Sequence, residues 1–171
     1  MTHTVVLLVE KPLAPVDAAQ VRALHAELDE PLRYHVLMPV EDAATRIEAS
    51  LGSLAAGEVV TVPGLVLPDD DLERLQAELL AESRASLATT LDRLRTAGDD
   101  HTGSFEVDGE LVSVDPVDAL ATTVQRLDAR EAIVLTRPHL VAEFFHLDWT
   151  SRAKRKIGVP LLHLLEHRDQ D

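Results

Sequence analysis

The chain has 171 residues, enough for one domain with a sizeable buried core. Apolar residues make up 46%, which excludes a disordered chain, and with only 3% aromatic the core is expected to be Leu, Val and Ala. The absence of cysteine excludes a disulfide framework and Cys-ligated zinc, and a formal net charge of −14 argues against a nucleic-acid partner, which needs a positive face.

Thr4-Val-Val-Leu-Leu-Val9 is a short apolar, β-branched run, the pattern of a strand buried on both faces. It is too short and lacks the basic lead-in of a signal peptide. Nothing in the chain approaches the roughly 20 apolar residues of a bilayer span, so a cytoplasmic protein without a membrane partner is expected. Asp17 to Leu28 repeats Val21, Leu24 and Leu28 at helical spacing, Pro31 ends that segment, and Tyr34 to Val40 predicts a second strand. Residues 41–68 form an extended connection in which Asp42 could cap a helix carrying Ile47 and Leu51.

Pro68-Asp-Asp-Asp71 opens a long helix with Leu72, Leu75, Leu79, Leu87, Leu91 and Leu94 on one face, stopping at Gly98. Between two apolar runs, Asp108-Gly109 signals either a hairpin turn or a bend in one longer strand. Asp115-Pro116-Val117-Asp118 is a helix start: a capping Asp, Pro in the first turn, and an acid three residues after the cap. Ala132 to Leu135 predicts a buried strand, His139 to Leu147 a short helix, Asp148 to Ile157 another, and Val159 to Leu165 the last strand. The basic run Arg152, Lys154, Arg155 and Lys156 precedes Gly158, as cations in a helix's last turn should. Strands alternating with helices imply one α/β domain over 1–171 with a mainly parallel sheet.

Glu143-Phe-Phe-His146, with His139 four residues before Glu143, has di-iron spacing on one helix, but no second ligand helix matches it. His163 and His167 at the last strand could meet a symmetry mate. No metal site is expected from these residues, since three or four ligands must converge. Ser113, Ser151, His139 and Asp148 lack the nucleophile elbow of a hydrolase, and no catalytic residue is assigned.

The segments Asp115-Pro-Val-Asp-Ala-Leu120, Glu131-Ala-Ile-Val-Leu135 and Gly158-Val-Pro-Leu-Leu162 resemble the universal stress protein family of the adenine nucleotide alpha hydrolase-like superfamily. The resemblance implies a Rossmann-like three-layer sandwich: a five-stranded parallel sheet of order 3-2-1-4-5 with helices on both faces. It also implies a homodimer paired through the C-terminal strand. Ligands of such sheets bind at the carboxyl ends of strands 1 and 4, where the chain direction switches. Here that crevice is expected between Glu10 and Lys11 on one side and Thr136, Arg137 and Pro138 on the other.

ATP-binding members of the family carry glycine, two residues, glycine, nine residues, glycine, then Ser or Thr after strand 4. The matching positions are Thr136, His139, Trp149 and Thr150, so the hydroxyl is kept and the glycines are replaced. The family's acid at the end of strand 1 corresponds to Glu10, and its glycine before Asp-Pro to Val114. The expectation is a stress-related regulatory or binding protein, with the nucleotide site altered or lost, no evident catalysis and no cofactor. The alternative is a module binding ATP, AMP or a small anion through Glu10, Thr136, Arg137, His139, Trp149, Thr150 and Ser151.

Overall fold

The computed structural model describes residues 1–40, 68–98, 105–136 and 154–167. Five strands form one parallel sheet: β1 (His3–Val9), β2 (Leu32–Pro39), β3 (Phe105–Val112), β4 (Glu131–Thr136) and β5 (Leu161–Leu165). Their order is β3-β2-β1-β4-β5, with β1 at the centre. β1 pairs with β2 through Val5↔Tyr34 and with β4 through Val5↔Glu131. This is the order expected for a sheet whose chain direction switches between β1 and β4.

Among the described residues the longer helices are α1 (Pro15–Ala23), α2 (Asp69–Thr96) and α3 (Pro116–Arg126). Because successive strand residues point to opposite faces, the sheet has two cores. One contains Val5, Leu7, Val9, Tyr34, Val36, Ile133 and Leu135 with Val21 of α1 and Leu94 of α2. The other contains Val6, Leu8, Leu37 and Val134 with Leu120 and Val124 of α3. Each fully buried Val or Leu contributes about 1.5–3 kcal/mol relative to exposure. Burial on both faces is why β1 and β4 read as unbroken apolar runs.

Several boundaries differ from those expected. α1 begins earlier, because Pro15 suits a first helical turn, and ends at Ala23, after which the chain continues in tight turns such as His25 N to Arg22 O. β3 is continuous through Asp108 and Gly109, so the hairpin alternative is not realised: both residues pair with β2. The last strand starts at Leu161 rather than Val159, since Gly158 holds a φ of +73° and Pro160 brings no N–H. A helical turn at 154–157 precedes it, and Lys156 pairs with Asp118. The helix expected over 41–51, the short helix at 139–147 and the start of the one at 148 lie outside the described residues. Among the described residues no helix is long and apolar enough to cross a membrane.

The chain's far end returns to its first helix. Asp17, 1% exposed, accepts a 2.9 Å hydrogen bond from the His167 amide, and its other oxygen lies 2.6 Å from His167 Nδ1.

Candidate functional site

A parallel sheet with a central switch leaves a gap beyond the carboxyl ends of its two inner strands, because their following connections leave in opposite directions. Here β1 ends at Val9 and β4 at Thr136, and a crevice of about 130 Å³ opens between them on the α3 side. Leu8, Val134 and Leu135 form its apolar base. Glu10, Pro39, Val117, Thr136 and His163 stand around it, with Asp115 and Pro116 at the start of α3.

Among the described residues the polar groups are few and mostly engaged. Thr136 Oγ1 and His163 Nε2 lie 2.7 Å apart, within hydrogen-bonding distance. Burial pushes the His163 pKa down and favours a neutral ring. Asp115 Oδ1 accepts from the amides of Val117 and Asp118 at 2.9 and 3.0 Å, capping α3 as its sequence predicts. The described lining therefore offers two carboxylates, Glu10 and Asp115, and neither Lys nor Arg.

Of the residues expected at this site, Glu10 and Thr136 are brought together. Arg137, His139, Trp149, Thr150 and Ser151 lie outside the described residues, as do Pro138, Glu143, His146 and Asp148. Lys11 is displaced from its expected place: it lines a recess of about 40 Å³ on the other face, between β1, β2 and the Leu79–Ser86 stretch of α2. Val114, 64% exposed, is outside the crevice lining. His163 and His167 make contacts within their own chain, to Thr136 and Asp17.

Sequence reading missed His163 and the α3 start as lining groups. Asp115-Pro116 was legible as a cap and as part of the family resemblance, not as a lining group. His163 reaches the crevice because β5 pairs with β4 in the register Val134↔His163, which no local pattern encodes.

No known family model matches the sequence, and no curated protein matches it. Solved structures do. The chain is similar to hypothetical protein MJ0577, a test case for assigning biochemical function from structure, with a TM-score of 0.59 over 97% of each chain at 13% identity. A universal stress protein family protein from Arabidopsis thaliana with AMP bound gives 0.54 over 98% of this chain and 94% of that one, at 10% identity. A universal stress protein in complex with cAMP gives 0.52 over 96% and 99%, at 13% identity. The likeness is one of fold: a Rossmann-like α/β sheet shared with universal stress protein structures.

Proposed function

We propose that the chain is a stress-related binding or regulatory protein of universal-stress-protein type, homodimeric and without catalysis of its own, whose nucleotide site is altered or lost. The charge of the crevice carries this reading. A phosphate entering it would face the Glu10 and Asp115 carboxylates with no described cation to offset them. Like charges about 4 Å apart repel by about 1 kcal/mol in water and several-fold more at lower dielectric. The first amides of α3, a natural anion cradle, are already taken by Asp115. Replacement of the family's phosphate glycines by Thr136, His139 and Trp149 points the same way, because only bare backbone lets amides close around phosphate oxygens. The dimer reading is supported by β5, an edge strand with Leu162 and Leu165 40% and 48% exposed.

A second reading, a nucleotide-binding module, is favoured by the apolar base of the crevice, which suits an adenine ring, and by the AMP and cAMP held by neighbours in fold. Thermal unfolding with and without ATP, AMP and magnesium separates the two. A ligand at one hundred times its Kd stabilises by about 2.7 kcal/mol, a rise of roughly 5–10 °C for a chain of this size. The first reading expects no shift in the wild type. A shift there establishes the second reading. A shift only in Trp149→Gly assigns the loss of binding to the indole.

A further inference from the structure

The amino-terminal end of the sheet, roughly 20 Å along β1 from the crevice, carries a separate cluster. His3 opens β1, Glu131 opens β4, and His25 lies in the turns after α1. The register Val5↔Glu131 puts Glu131 and His3 on the same face of the sheet, two residues out of step, and α1 lays His25 against that face. One ligand atom from each of the three residues lies within 4.8 Å of the other two. His3 Nε2 is 3.1 Å from Glu131 Oε1, and His25 Nε2 contacts the same oxygen.

The far side of the His25 ring is fixed. Its Nδ1 lies 3.1 Å from the Val21 carbonyl oxygen and 2.6 Å from the hydroxyl of the fully buried Tyr34. A carbonyl can only accept, so a proton on Nδ1 satisfies the Val21 contact and leaves Nε2 as the nitrogen to bind a metal once its own proton is lost. Nε2 donates to the Glu131 carboxylate in this structure, and a metal ion would displace that proton and take the nitrogen and the carboxylate as ligands. Donation of the second ring N–H to a backbone carbonyl is how protein histidines are oriented on metals. Beside the cluster opens a cavity of about 280 Å³, walled by Leu24, Leu28, Ile133 and Leu162, so a fourth coordination position has room for water or a small ligand.

We propose that His3, His25 and Glu131 bind one divalent transition-metal ion of the zinc class, with its fourth position open to the cavity. Two imidazoles and one carboxylate suit Zn²⁺, Co²⁺ or Fe²⁺, whereas Mg²⁺ and Ca²⁺ demand mainly oxygen ligands. The inference is independent of the nucleotide question, because the two sites occupy opposite ends of the sheet.

The test is titration of the tag-free, chelator-treated full chain with Co²⁺ and Zn²⁺, followed by calorimetry and by the visible absorption of bound Co²⁺. One ion per chain is expected, with a Kd of about 1 μM or tighter, and Zn²⁺ displaces Co²⁺. His3→Ala and Glu131→Gln each weaken binding by at least about 10–100-fold, the loss seen even for groups that only support a ligand. His167→Ala binds as the wild type does. Circular dichroism of each variant without metal confirms folding, and if Glu131→Gln does not fold, the His3 position, with a side chain 15% exposed at the start of β1, decides alone. Sub-stoichiometric or absent binding by the wild type overturns the proposal, as does binding undiminished in His3→Ala; a purely ionic His–Glu contact gives the first of these results.

Discussion

Gly109→Ala tests the packing of β3 on β2, because two known effects pull in opposite directions there. Gly109 pairs with Val36 in the parallel ladder. A methyl group at residue 109 would come 2.7 Å from the Val36 carbonyl oxygen and 3.1 Å from both Val36 Cβ and Leu87 Cδ1. The nearest of these atoms is backbone and cannot rotate away, so the strands must shift or α2 must lift. Loss of glycine's freedom in the unfolded chain favours alanine by about 0.4–1 kcal/mol. Overpacking a tight site costs about 1–3 kcal/mol. Overpacking wins, with a net loss of about 1–2 kcal/mol. In urea the midpoint falls while the slope is unchanged, and the melting temperature drops by roughly 2–8 °C. A midpoint equal to or above the wild type's would refute the close approach of Gly109 to the Val36 carbonyl.

Three further outcomes follow from contacts already described. Asp17→Ala removes both hydrogen bonds to His167, destabilises by about 1–3 kcal/mol, and exposes the segment after Leu165 to faster limited proteolysis. Asp115→Ala removes the α3 cap at a cost of about 0.5–2 kcal/mol, read as faster amide exchange at Val117 and Asp118. Asp108 supplies an acid-sensitive contribution: burial pushes its carboxyl up, but the Arg33 hydrogen bond, reinforced by His35, carries it below the ordinary 3.8. That contribution is complete above about pH 5 and is lost as pH falls through the depressed folded value. With Asp108 45% exposed, it amounts to at most about 1 kcal/mol, and Asp108→Asn should flatten this part of the stability profile between about pH 5 and 2.

The sheet was legible wherever burial on both faces left an unbroken apolar run, as in β1 and β4, and its order came from the family resemblance. Asp108-Gly109 was not resolvable, because the same dipeptide serves a turn or a close backbone approach, and only the Val36 pairing decides between them. At the crevice, Glu10 and Thr136 were predictable as the residues directly after β1 and at the end of β4. His163 was not, since its place depends on the β4–β5 register. The cluster of His3, His25 and Glu131 has no short ligand spacing to mark it in the sequence. Its members stand on three elements far apart in sequence, and the sequence reading expected no metal there.

The central position of β1 also governs the order in which the protein can be made. Its partner on one side, β4, lies far along the chain: His3 and Glu131 are 128 residues apart. At synthesis rates of about 5–20 residues per second, roughly 6–25 s separate the two strands as they leave the ribosome. β2 early in that interval and β3 only towards its end can join the sheet on one side, but β1 keeps its other hydrophobic edge open throughout, the kind of edge that recruits strands from other chains. A nascent chain stalled before Glu131 would therefore be a natural client for a chaperone.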